Sequence, residues 1–178
     1  LFTNNFNNND YINISSNDNC ESFFFEKFNN FNVFSFLFKT ANPIGSLGDN
    51  AAKLKVLIKN NKLLNQIILN NSIIFGSIVI HTRWASVGKV NINNCHPITN
   101  SKYGHELRYP LIIASLNGDI YNYNEIISDT KQSFNLSFDE KCDSDCLAIP
   151  LSLTGLNNLN VSQIKDSFNK YIGSFAVA

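Results

Sequence analysis

The chain has 178 residues, about the length of one domain and enough for a core that needs no staples. Fourteen basic residues balance fourteen acidic ones, which argues against a nucleic-acid partner held by bulk electrostatics. Charged residues make up only 16%, and 30 asparagines supply the missing polarity, a bias broad enough that single asparagines carry little weight.

No stretch reaches the roughly 18 apolar residues of a spanning helix. Leu1 to Asp10 lacks both the basic start and the unbroken apolar core of a secretory signal. No membrane partner and a cytoplasmic location are therefore expected. Four cysteines, Cys20, Cys95, Cys142 and Cys146, are too sparse for a disulfide scaffold. Because the first residue is Leu, the sequence is expected to be a processed or trimmed piece.

Residues 1–22 are rich in Asn, Ser and Asp and read as a flexible segment, with Tyr11 to Ile14 as one short strand. Ten of the fifteen phenylalanines precede residue 40, and their density from Phe23 to Phe38 predicts one or two strands. Asn42-Pro43-Ile44-Gly45 signals a turn. From Ala51 the period changes: Leu54, Leu57, Ile58, Leu64, Ile67 and Ile68 recur at three- and four-residue steps and predict one amphipathic helix, weakened but not broken by Asn60, Asn61 and Asn65. The β-branched run Ile73 to Ile80 predicts a buried strand. Leu111 to Leu116 predicts another, ending sharply at Asn117-Gly118. Short helices are expected over Tyr121 to Ile127 and Cys146 to Ile149, the second stopped or kinked by Pro150. Val161, Ile164, Phe168 and Tyr171 keep a helical stripe, and Ile172 to Ala178 has strand composition. Strands at both ends and in the middle, with helices between, suggest layered sheets with helices outside.

Two segments carry candidate chemistry. Arg83 and Arg108 are the two arginines against twelve lysines, and Arg83 stands in the segment His81 to Gly88 that directly follows the Ile73 to Ile80 run. Its rigid donor fork suits a carboxylate ligand; a structural ion pair beside Trp84 is the plainer alternative. Asn117-Gly118 is the ordinary hairpin signal, and also a way to set a side-chain amide beside a backbone N–H facing an oxyanion. Asp143-Ser144-Asp145 offers either a carboxylate for an ammonium or a solvated acidic loop. The spacing of Cys142 and Cys146, with Cys95-His96, is weak evidence for zinc, and neither a metal nor a cofactor is expected. No phosphate-cradling glycine loop is present.

Taken together, His81-Thr82-Arg83-Trp84-Ala85-Ser86-Val87-Gly88, Asn94-Cys95-His96-Pro97, Asn117-Gly118-Asp119-Ile120-Tyr121-Asn122-Tyr123, Asp143-Ser144-Asp145 and Gly173-Ser174-Phe175-Ala176 resemble the class II glutamine amidotransferase domain. The likeness is greatest to the glutaminase domain of glutamine–fructose-6-phosphate transaminases. It runs from about residue 46 to the end, so residues 23–178 are expected to form this domain, truncated at both ends, behind a poorly matched segment 1–22.

The resemblance implies an α+β fold of the Ntn-hydrolase kind, a four-layer αββα sandwich of two stacked antiparallel sheets with outer helices. It implies that Arg83 clamps the α-carboxylate of glutamine, with Ser86 beside it, and that Asp143 receives the α-ammonium. The Asn117 side chain and the Gly118 N–H would form the oxyanion hole, and Trp84 would stand near the acyl pocket and the ammonia exit. Glutamine is the implied partner, hydrolysed to glutamate and ammonia for transfer to a sugar phosphate. A downstream sugar-isomerase or synthetase domain is expected in the full chain, and a homo-oligomer is open.

Four departures stand against the family pattern. Ser86 replaces its threonine, Val87 the histidine after it, and Leu116 the histidine before Asn-Gly. The family's nucleophile is an N-terminal cysteine whose own amine acts as base. Here residue 1 is Leu, and Cys20 is followed by Glu21-Ser22 rather than Gly-Ile. No nucleophile is identified, and the fragment is expected to be inactive without one. The alternatives are an inactive glutamine-binding or assembly domain and the glutaminase domain of an asparagine synthetase-like enzyme.

Overall fold

The structure, a computed structural model, describes residues 11–15, 19–28, 30–41, 49–83, 90–100, 111–134, 142–148 and 161–178. They fall into two compact units, Leu1–Ile80 and His81–Ala178.

Phenylalanine at alternate positions builds the first unit. Strands β1 (Tyr11–Ser15), β2 (Asn19–Phe28) and β3 (Phe31–Thr40) form an antiparallel sheet in that order. Register places Phe23 opposite Phe36 and Phe25 opposite Phe34. Since side chains alternate along a strand, these four rings share one face. Their centroids lie 5.1 Å apart in the Phe23–Phe36 and Phe25–Phe34 pairs, aromatic contacts worth about 0.5–1.5 kcal/mol each beyond area burial. Ile67 and Leu63 cover that face.

The amphipathic stretch after Ala51 is two helices, α1 (Asp49–Asn60) and α2 (Lys62–Asn70), not one. Asn61 interrupts them because its extended backbone and side chain suit a cap: Oδ1 accepts the Leu64 N–H at 2.8 Å. Its Nδ2 also donates to Glu21 Oε2 at 2.9 Å, tying the start of α2 to β2.

The Ile73 to Ile80 run is not the buried strand that its composition suggests. It has no regular structure, and its apolar side chains are exposed, Ile74 and Ile78 by more than 80%. β-branched residues favour a pleated, half-buried surface, but no strand pairs with this run among the described residues.

In the second unit, β4 (Ile98–Thr99) pairs with β5 (Ile113–Ala114), and β6 (Leu116–Ile120) pairs with β7 (Gly173–Val177), both antiparallel. Helices α3 (Tyr123–Phe134) and α4 (Val161–Phe168) and a helical turn at 145–148 complete it. Ala114, Leu116, Ile120, Ile127, Cys146 and Leu147 form the main core cluster, with Tyr123, Phe168 and Tyr171 against it. Tyr171 Oη donates to the Cys146 carbonyl at 2.9 Å, so the one polar atom of that ring is satisfied. Asn122 accepts the Ile172 N–H at 2.8 Å and donates to the Lys170 carbonyl at 2.9 Å, which fixes the chain entering β7.

The four-layer αββα sandwich implied by the resemblance is overturned. The described residues form three separate small sheets, one three-stranded and two two-stranded, and not two stacked ones. The Ntn-hydrolase arrangement falls with it, and the Ile73 to Ile80 run, expected as a buried strand, is exposed and has no strand partner among the described residues. The expected turn at residues 42–45, Ile149 and Pro150 lie outside the described residues.

Replacing Asn61 by Ala removes both the cap acceptor and the Glu21 bond, and is expected to destabilise the first unit by about 1–2 kcal/mol. Urea unfolding of the purified chain checks this; an unchanged midpoint would show that Asn61 does not hold α2.

Candidate functional site

Asn117-Gly118 is not a hairpin turn. Both residues lie inside β6, opposite Ala176 and Phe175 of β7. Gly118 has φ of 119°, a region that L side chains rarely adopt. A Cβ there would also meet the Ser174 carbonyl oxygen and come within 2.7 Å of Phe175 Cα. Only glycine lets the two strands approach this closely here.

The second wall comes from residues 142–148, anchored by Cys142, Cys146 and Leu147, each 0% exposed. Asp145 Oδ2 accepts the Cys142 N–H at 3.1 Å, and Asp143 and Ser144 carbonyls accept the Cys146 and Leu147 N–H groups. This tight turn buries Asp143, which is not on a solvated loop. Burial raises the Asp143 carboxyl above its ordinary 3.8; hydrogen bonds from the Ile120 and Ser144 N–H groups oppose the rise, Asp119 adds to it and Arg83 opposes it. Ser144 N–H reaches Asp143 Oδ1 at 2.9 Å, and Ile120 N–H reaches Oδ2 at 3.4 Å.

His96 is buried between these walls. Its Nε2 lies 2.6 Å from Ser144 Oγ, its Nδ1 lies 2.9 Å from His81 Nε2, and the Leu116 N–H donates to Nδ1 at 3.4 Å. Burial, then the Arg83 charge, lowers the His81 pKa below its ordinary 6.5.

These segments close on one cavity of ≈ 90 Å³ lined by His81, Thr82, Arg83, His96, Leu116, Asn117, Gly118, Asp143 and Ser144. Pockets for drug-sized ligands and cofactors run from about 300 to 1,000 Å³, so this one suits a small polar solute. Four residues singled out from the sequence, Arg83, Asn117, Gly118 and Asp143, thus share one lining although up to 60 residues separate them. Trp84 and Ser86 lie outside the described residues.

No family model matches this chain. No curated protein matches it either. What the site can do rests on its own geometry.

Five lining residues have no assigned role in the glutamine site from the sequence: His81, Thr82, His96, Leu116 and Ser144. The available signal was the scarcity of histidine, since two of the three histidines in the chain sit in the segments quoted around Arg83 and before Pro97. None of the four cysteines lines the cavity. Cys142 and Cys146 are fully buried, and burial, with Asp143, Asp145 and Cys142 nearby, pushes the Cys146 thiol far up, which makes it inert. Cys20 stands within β2, opposite Ser15 and Lys39, and to become an N-terminal nucleophile it would need the chain cut just before it, which would remove β1. Among the described residues no cluster of three or more His, Cys, Asp or Glu is placed to hold a metal ion. A further cavity of ≈ 330 Å³ in the first unit is walled mainly by Phe23, Phe36 and Leu63, and its Glu21 already accepts from Asn61.

Substituting Arg83 by Gln removes the charge that helps to hold His81 neutral, while burial, the larger cause, stays. The His81 pKa is expected to rise part of the way towards 6.5. An NMR titration of the imidazole measures it; an unmoved pKa would mean that the guanidinium does not face His81.

Proposed function

We propose that the second unit binds free glutamine and, given a nucleophile, hydrolyses it to glutamate and ammonia for transfer to a sugar phosphate. The single observation that carries this reading is the shared lining of Arg83, Asp143, Asn117 and Gly118. A free α-amino acid is a zwitterion. Its carboxylate calls for a planar cation, its ammonium for an anion, and each desolvated charge must find a partner. Arg83 and Asp143 supply one of each. The Asn117 side chain and the Gly118 N–H then serve the side-chain amide, polarising its carbonyl and stabilising the oxyanion that attack would create. Glutamine rather than a charged side chain is favoured because, among the described residues, the cavity lining offers no further full charge for that end.

The sequence of events follows from these roles. Arg83 and Asp143 fix the backbone end of the substrate. The amide carbonyl is held against the Asn117–Gly118 donors, a nucleophile adds to it, ammonia leaves, and water releases glutamate from the acyl intermediate. An inactive glutamine-binding domain is the second reading, favoured by one observation: no cysteine of this chain lines the cavity.

Calorimetric titration with glutamine is expected to show one site, and Asp143→Asn is expected to weaken it by about thirtyfold or more, because the buried ammonium loses its counter-charge. Binding needs the carboxylate ionised. Because its pKa is raised, affinity falls on acidification at a pH above that of an ordinary aspartate, 3.8. A wild-type chain that ignores glutamine, or an Asp143→Asn variant that binds it equally well, would end the proposal. Release of glutamate by the chain separates hydrolysis from binding alone.

A further inference from the structure

The hydrogen bonds around His96 have a direction. A backbone N–H can only donate, so the Leu116 N–H at 3.4 Å makes Nδ1 of His96 an acceptor. The neutral imidazole then carries its proton on Nε2. That N–H faces Ser144 Oγ at 2.6 Å and donates to it. Ser144 turns its own proton towards Asp143 Oδ1, 3.5 Å away. At the other end, His81 Nε2 lies 2.9 Å from the accepting Nδ1 and is therefore an N–H partner, sharing the single Nδ1 lone pair with the longer Leu116 bond. Each group is left with one role. A second proton on His96 would confront the Leu116 N–H, and a proton already on Nε2 removes His96 as a base for Ser144.

The same count defines what Asp143 has left. A carboxylate offers about four lone-pair sites. The Ser144 N–H and Oγ take the two on Oδ1, and the Ile120 N–H takes one on Oδ2. Among the described residues one site remains, on Oδ2, and Asp143 lines the cavity.

We infer that His96 and Ser144 are positioning residues: the chain His81→His96→Ser144→Asp143 occupies Oδ1 and leaves Oδ2 as the acceptor for the α-ammonium of the ligand. This deepens the glutamine reading and rests on it. His96 and Ser144 act through Asp143 and touch no reacting atom.

Two measurements on the full chain test it. Long-range nitrogen–proton NMR reads the tautomer of His96, expected as Nε2–H with Nδ1 bare; an Nδ1–H tautomer overturns the inference whatever glutamine does. Calorimetry then compares glutamine with 4-carbamoylbutyrate, which is glutamine without its α-amino group. Ser144→Ala is expected to weaken glutamine by about tenfold, the size of a lost hydrogen bond to a charged group, and to leave 4-carbamoylbutyrate within about twofold. A general structural defect would weaken both ligands alike and would overturn the inference. Ser144→Thr, which keeps the hydroxyl, and His96→Gln, which keeps an N–H near the Nε2 position, are each expected to bind glutamine within about threefold of the parent chain. Failure of both conservative variants to do so counts against the relay. Absence of glutamine binding by the parent chain defeats the glutamine reading and the ammonium role together, whereas parent binding with an unaffected Ser144→Ala defeats the relay alone.

Discussion

Taking a carboxylate out of water costs several kcal/mol unless other donors replace its hydration. Asp143 is 4% exposed, and much of the second unit is shaped by that requirement. Its donors come from two places, the end of β6 through Ile120 and its own turn through Ser144. Satisfying one carboxylate thus fastens the 142–148 turn to the β6–β7 ladder. The core beneath, with Leu116, Ile120, Cys146 and Leu147 in one cluster, is the apolar counterpart of the same junction.

The turn and the ladder then define the cavity between them. Arg83 reaches it from the segment that opens the second unit, and Asn117 and Gly118 reach it from β6. His96 fills the space behind, with one ring nitrogen against Ser144 and the other against His81 and the Leu116 N–H. A cavity of ≈ 90 Å³ with both signs of charge is a poor fit for nucleotides or apolar cofactors. Arg83 and Asp143 are the charged pair on its lining among the described residues.

Local pattern made the strands and helices of this chain readable where local physics decides them. The Phe23 to Phe38 strands are a case in which spacing and burial agree, whereas the stripe of Val161, Ile164 and Phe168 forms its helix with Val161 and Ile164 exposed and only Phe168 against the core. Ile73 to Ile80 is the opposite case: composition gives a preference for strand, but a strand exists only where a neighbour supplies hydrogen bonds, and composition says nothing of neighbours. Asn61 was weighed as a weak helix residue, yet its side chain is worth more as a cap, so the helix divides there. Asn117-Gly118 has turn composition, but the positive φ of Gly118 serves a close strand approach instead. The nearness of Arg83 to Asp143 was carried by the resemblance and not by any spacing. The layering of sheets follows from the order of strands and helices, and their stacking in two from the same resemblance; the three separate small sheets among the described residues overturn that stacking. The contact between His96 and Ser144 spans 48 residues, and the scarcity of histidine is the local signal that points towards it.

Gly118 joins two properties that are usually separable. The backbone that borders the cavity is also the backbone against which the last strand is seated, with the Ser174 carbonyl close above it. Occupancy of the cavity and attachment of the C-terminal strand are therefore thermodynamically linked. Whatever frays Gly173–Val177 loosens the rim of the cavity, and any solute that braces the rim slows amide exchange along that strand.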